Sequence, residues 1–285
     1  MADENAGPRA TVFGTIAEDY GRLRPAPCAA AVDWLLPEGC GRVLDLAAGA
    51  GTLTALLAQR VPEVVAVEPD DRMRAVLSAR NPGVTSLKGT AEEIPLPDGG
   101  LDAVVVSSAW HWFDTERAVP EIARVLRPGG RLSVVWNGLD NQVPWVARWR
   151  SQFRSVGAVP AEHTATTGQN GRTQPADGAE PGPRRADEQL HAHRGERLHA
   201  LLTAPGSPFD HVEGGEFTCT RRTTPGDAAA LLGTYSRFLV LPAEERLRLI
   251  AQAEETLRAQ AGLLGDDDAL DLPFLSRCRR ATLAG

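Results

Sequence analysis

Two acids spaced around a glycine turn carry the clearest chemistry in this sequence. Asp45 closes the apolar run Val43-Leu44-Asp45-Leu46, and Ala47-Ala48-Gly49-Ala50-Gly51-Thr52-Leu53-Thr54 follows. Glycines between a strand and a helix let backbone approach a ligand closely, and the helix start offers N–H groups without partners. With three glycines, such a turn holds a pyrophosphate. Here Thr54 occupies the third glycine position, and Asp45 stands where its charge repels a pyrophosphate. A nicotinamide oxidoreductase is therefore the lesser alternative. An acid before the turn suits a positively charged ligand, such as an amino-acid ammonium beside a sulfonium. Glu68 ends the next apolar run, Val65-Ala66-Val67-Glu68-Pro69-Asp70. A carboxylate at that strand end can accept both hydroxyls of a ribose, while Asp70 or Asp71 caps the helix that follows.

A second group lies in Ser107-Ser108-Ala109-Trp110-His111-Trp112-Phe113-Asp114. Histidine is the side chain readiest to take a proton near neutral pH, so His111 is a candidate general base. The alternative is that His111 and Trp112 only pack and shape a pocket. The pair His191 and His193 lacks a cysteine or carboxylate at metal-ligand spacing, and no metal is expected.

These groups need a parallel sheet to position them. Between Gly41 and Asn137, short β-rich runs alternate with helical stretches. Strands are predicted at 42–46, 64–68, 84–87, 101–107 and 131–136, and helices at 53–60, 71–80 and 115–126. Arg127-Pro128-Gly129-Gly130 reads as a helix stop and a turn. Ahead of the sheet, 13–24 and 26–36 read as two helices split by Pro25. Behind it, 143–156 reads as a helix with Trp145, Trp149 and Phe153 on one stripe. Residues 161–187 hold almost no large apolar side chain and are expected to be a mobile insertion. Order is expected to return near Leu190, with strands at 217–222 and 270–277 and helices at 226–239 and 243–261.

Composition bounds the partners. The 285 residues carry 30 Lys and Arg against 37 Asp and Glu, a net charge of -7 that argues against a nucleic-acid backbone as partner. No apolar run approaches the roughly 18 residues of a bilayer span, and the polar first ten residues do not read as a signal peptide. The four cysteines, Cys28, Cys40, Cys219 and Cys278, form no CxxC pair and are expected as reduced thiols of a cytoplasmic protein.

The chain resembles the class I S-adenosylmethionine-dependent methyltransferases, in particular the small-molecule group of type 11 and trans-aconitate-like enzymes. The resemblance rests on Asp45-Leu46-Ala47-Ala48-Gly49-Ala50-Gly51-Thr52, Glu68-Pro69-Asp70-Asp71-Arg72-Met73, Gly89-Thr90-Ala91-Glu92-Glu93-Ile94-Pro95, Trp110-His111-Trp112-Phe113-Asp114 and Arg127-Pro128-Gly129-Gly130. It covers 13–137 well and returns from about 213 to 281. It implies an α/β fold, a Rossmann-like doubly wound and mostly parallel sheet with a final antiparallel strand, plus a helical lid. The expected division is an N-terminal helical cover over 1–40, a cofactor-binding core over 41–138, a lid or insertion over 139–210, and 211–285 completing the sheet.

The resemblance also implies roles. Asp45, Gly49 and Gly51 hold the methionine part of S-adenosylmethionine, Glu68 the ribose, and Thr90 and Ala91 the adenine, with Ala47 and Pro69 also among the cofactor-binding residues. Met73 packs on the adenine face, and Ser107 and Trp112 complete the cofactor pocket. Tyr20, Trp110, Trp136, Tyr235 and Arg237 are candidates for the pocket of a small-molecule acceptor. Two positions depart from the family pattern. Ala47 replaces a usual glycine, at little cost if its backbone is extended, and Thr90 replaces a common aspartate. The implied reaction moves a methyl to oxygen or nitrogen of a small molecule and releases S-adenosylhomocysteine. A relative that keeps the cofactor pocket without transferring methyl is the alternative.

Overall fold

The computed structural model describes residues 23–153, 156, 186–261 and 268–285. Helix α1 (Ala29–Leu35) leads into β1 (Arg42–Leu46), α2 (Thr52–Leu57), β2 (Glu63–Val67), α3 (Asp71–Arg80), β3 (Thr85–Leu87) and β4 (Leu101–Ser107). A 3-10 turn (Trp110–Trp112), α4 (Thr115–Val125), β5 (Leu126–Leu139) and α5 (Pro144–Ser151) follow. The chain then forms α6 (Ala186–Leu202), β6 (Phe209–Thr223), α7 (Pro225–Gly233), α8 (Ser236–Leu239), α9 (Ala243–Ala261) and β7 (Leu270–Leu283).

The strands make one sheet in the order β3-β2-β1-β4-β5-β7-β6. Strands β1 to β5 pair in parallel, and β7 runs antiparallel to both β5 and β6. The expected doubly wound sheet with one antiparallel strand is therefore present. Its order reverses beside β1, which opens a crevice beyond the carboxyl ends of β1 and β4.

Period-two alternation assigns the two faces. Leu44, Leu46, Val104, Val106, Leu132 and Val134 meet Ala118, Ile122 and Val125 of α4. Val43, Ala103, Val105 and Val135 meet Ala31, Val32 and Leu35 of α1 and Leu53 and Leu57 of α2. A third cluster joins Trp149 and Phe153 to Phe238, Leu257 and Phe274 at the ends of β5 and β7. There the Trp149 indole donates to the Ala253 carbonyl at 2.9 Å.

Several expectations change in three dimensions. Helix α1 lies on the face of the sheet, with the Ser133 hydroxyl donating to the Leu35 carbonyl, where a cover over the crevice was expected. Within the stretch expected as a lid, Leu198 and Leu202 of α6 are buried in the main core. Both C-terminal strands extend well past their predicted limits, because β6 and β7 pair with each other over more than ten positions. The helix predicted at 226–239 breaks at Thr234, whose hydroxyl turns back to the Leu231 carbonyl. Arg127-Pro128-Gly129-Gly130 sits inside β5, where the pairing with β4 jumps between Leu101 and Ala103 and Gly129 has φ +74°. The expectation of four reduced cysteines is also corrected. Cys28 and Cys219 form a disulfide with Cα atoms 5.7 Å apart, within the range that such a bridge requires. Two distant cysteines meet because β7 places β6 over the start of α1, which spacing in the chain does not reveal. The expected helix at 13–24 falls mostly outside the described residues, as does nearly all of 161–187. Among the described residues, no helix is long and apolar enough to cross a membrane.

Candidate functional site

The strand register brings the two acids to one edge. Leu46 stands level with Val67 of β2 and Val106 of β4, so Ala47, Glu68 and Ser107 come next on three neighbouring strands. Backbone hydrogen bonds carry the edge onward: Ala48 N–H donates to the Val67 carbonyl at 3.1 Å, and Glu68 N–H to the Leu87 carbonyl at 3.1 Å.

Asp45 has no exposed surface. Its Oδ2 accepts the Thr54 hydroxyl at 2.6 Å, while Oδ1 has no hydrogen-bond partner. Burial pushes its carboxyl up to about 7, with the Glu68 charge adding to the rise and the Thr54 hydroxyl opposing it. Behind the glycine turn the carboxyl thus keeps one buried acceptor oxygen without a hydrogen-bond partner among the described residues. Thr54, which in the sequence only spoils a glycine pattern, is the residue that holds this acid. No spacing rule signals a pair nine positions apart across a strand and a helix.

Removing that hydroxyl has a pH-dependent outcome. Thr54→Val is expected to lower stability by roughly 2 kcal/mol at pH 8, where Asp45 is ionised, and by about half as much at pH 5. Chemical denaturation at the two pH values checks it, and equal losses would contradict the pairing.

Glu68 is almost fully buried. Its Oε2 accepts Gly49 N–H at 2.8 Å and its Oε1 accepts Asp70 N–H at 3.0 Å, so this carboxylate also braces the turn. Burial is the main cause that raises its carboxyl above the usual range, opposed by those two N–H groups. Asp70 is the cap of α3, with Oδ1 accepting from Arg72 and Met73 N–H. Pro69 is exposed between the two acids.

The turn itself is left-handed at three points. Ala47 has φ +58°, Gly49 φ +57° and Gly51 φ +79°. Ala47 is thus not extended, and its side chain carries the strain that a glycine would avoid. Ala47→Gly is expected to stabilise the protein by about 1 kcal/mol, read as a higher denaturation midpoint. Asn81, unremarked in the sequence, packs under Gly51 and donates to the Leu77 carbonyl at 3.1 Å.

The remaining predicted residues separate into three groups. Met73 is buried against Ala50 beneath the turn. Ala91 points its side chain into the core, and Thr90 is exposed in a tight loop where its N–H donates to the Glu93 carbonyl at 3.3 Å. Gly89 allows that loop, since a Cβ there would stand 2.6 Å from Pro95 Cδ.

Ser108 leaves β4 with φ +56°, and the chain turns through Trp110–Trp112. His111 and Trp112 are exposed on that turn, with ring centroids 4.6 Å apart. Trp110 and Trp136, expected as pocket candidates, are both buried in the main core, Trp110 against Phe113 at 5.6 Å. Tyr235 is half-buried, under the Arg24 guanidinium at 4.5 Å and near that of Arg150 at 5.6 Å. The side chain of Arg237, and the whole of Tyr20, lie outside the described residues.

Among the described residues, no group of three or more His, Cys, Asp or Glu could hold a metal ion. A cavity of about 280 Å³ among the described residues is lined by Ala58, Val61, Val64 and Asn81 beside the start of β2, and lies at the opposite end of that strand from Glu68. The edge itself fits a cationic nucleoside cofactor. Asp45 keeps a buried acceptor oxygen without a hydrogen-bond partner among the described residues, no atom of the described residues beyond its chain neighbours lies within 4 Å of where a Cβ on Gly49 would stand, and the Glu68 carboxylate stands beside the turn at the end of β2.

Comparison with known proteins agrees. Residues 44–134 match a family model described as a methyltransferase domain. An uncharacterized methyltransferase of Mycobacterium tuberculosis strain H37Rv is 37% identical over 272 residues, covering 95% of this chain and 96% of its own. An uncharacterized methyltransferase of Schizosaccharomyces pombe is 29% identical over 255 residues, covering 86% of this chain and 87% of its own. A solved structure from Anaeromyxobacter dehalogenans superposes with a TM-score of 0.65 at 24% identity, covering 92% of this chain and 98% of that one, and shares the fold.

Proposed function

Because the chain belongs to the class I S-adenosylmethionine-dependent methyltransferases, we propose that it moves a methyl group to an oxygen or nitrogen of a small molecule and releases S-adenosylhomocysteine. The observation that carries the cofactor half is the buried Asp45, held by Thr54 and left with one open acceptor oxygen behind a glycine turn. In this reading Asp45 faces the cofactor's positive charge, Gly49 supplies the open approach, and Glu68 takes the ribose. The bound cofactor supplies an activated methyl on a sulfonium, so alignment of the acceptor accounts for much of the acceleration.

The chain's own residues then orient the acceptor and shed water. His111 and Trp112 wall the acceptor side from the turn after β4, and His111 is the group to receive the acceptor's proton where one must leave. The test is a transfer assay with methyl-labelled S-adenosylmethionine against phenols, small carboxylates and amines. Turnover to an O- or N-methyl product supports the proposal. A carbon-methylated product would overturn it, as would a folded protein that binds S-adenosylhomocysteine and leaves every acceptor unchanged.

A further inference from the structure

The Cys28–Cys219 bond joins elements that no other covalent tie connects. Cys28 immediately precedes α1 and is 3% exposed, while Cys219 lies half-buried on the edge strand β6. A chain of hydrogen bonds leads from Cys28 through β7 to β5 and back to the segment before α1. Its N–H donates to Ser276 Oγ at 3.0 Å, and that hydroxyl donates to Asn137 Oδ1 at 2.8 Å. Asn137 Nδ2 in turn donates to the Pro25 and Ala26 carbonyls, both at 2.9 Å. Asn137 stands two residues beyond Val135, the partner of Ser107, so this chain of bonds passes through the carboxyl-end half of β5.

We propose that Cys28 and Cys219 are a reversible thiol–disulfide site whose closure fixes the segment 24–28 against the ends of β5 and β7. The inference is independent of the acceptor and of methyl transfer. Access decides the direction of the chemistry. The Cys219 thiolate attacks one sulfur of a low-molecular-weight disulfide and expels one thiolate. The Cys28 thiolate then attacks the Cys219 sulfur of that mixed disulfide and expels the second. The two cysteines lose two electrons and two protons, and the small disulfide becomes two thiols. A small thiol reverses both steps through the half-exposed Cys219.

The other two cysteines stay out of the exchange. Burial pushes the Cys40 thiol up to about 11 and the Cys278 thiol up to about 12, so neither supplies a thiolate near neutral pH.

The experiment equilibrates the native protein with mixtures of reduced and oxidised glutathione, without denaturant. Peptide mass spectrometry follows the Cys28–Cys219 link, and hydrogen–deuterium exchange follows the backbone. The link is expected to open and close with the glutathione ratio. Opening should speed exchange at 24–36 at least fivefold and leave 101–107 unchanged. A Cys28→Ser, Cys219→Ser variant should show the fast pattern in oxidised glutathione as well. A link that survives excess reduced glutathione, or never forms in oxidised glutathione, overturns the proposal. Equal exchange in the two states overturns it too.

Discussion

Affinity for S-adenosylhomocysteine is expected to climb about tenfold per pH unit from about pH 5 to 7, and to level off above roughly pH 7.5. Burial pushes the Asp45 carboxyl up to about 7, so below that pH the acid is protonated in the free protein. The cofactor's ammonium favours the ionised form, and binding in acid must therefore expel a proton. Glu68, also raised by burial, steepens the low-pH end.

The same group sets the sign of stability in the free protein. An acid raised from its ordinary value binds more protons folded than unfolded, so its contribution is present in acid and is lost as pH rises from about 4 through 7. That loss is worth ~4 kcal/mol. Asp45→Asn should thus raise the melting temperature at pH 8 while weakening cofactor affinity there at least tenfold and flattening its pH profile. Calorimetric titration across pH, beside thermal denaturation, measures both. A wild-type profile without slope would show that Asp45 is not sensed by the ligand.

Two glycines of the turn are expected to fail in opposite ways. Gly51 has φ +79°, and a Cβ there would overlap Asn81 Nδ2 and stand 2.9 Å from Leu77 Cγ. Gly51→Ala should cost ~3 kcal/mol, a fall in melting temperature of about 6 to 10 °C, because strain adds to overpacking. Gly49 has φ +57°, with no atom of the described residues beyond its chain neighbours within 4 Å of a Cβ. Gly49→Ala should cost only about 1 to 2 kcal/mol of stability, since the strain comes without a clash. Its methyl would occupy the open approach to the turn, and affinity for S-adenosylhomocysteine should fall about a hundredfold. Gly49→Ala binding as wild type would displace the ligand from this side of the turn.

The parallel half of the sheet is written locally. Val104-Val105-Val106 can only be a strand buried on both faces, and Asp71–Arg80 carries its own cap in Asp70. The order of acid, glycine turn, second acid and exposed His-Trp turn likewise follows from residues near one another in the chain, and so does the family. Contacts between distant segments are another matter. Thr54 bonding to Asp45, Asn81 under Gly51, and the left-handed backbone of Ala47 depend on how α2 and α3 pack over β1. The Cys28–Cys219 link and the burial of Trp110 and Trp136 depend on where β7 and β6 complete the sheet. Composition and periodicity report which side chains leave water, and glycines report where backbone bends. Which buried groups then meet is set by packing across the whole sheet, and only the tertiary structure decides it.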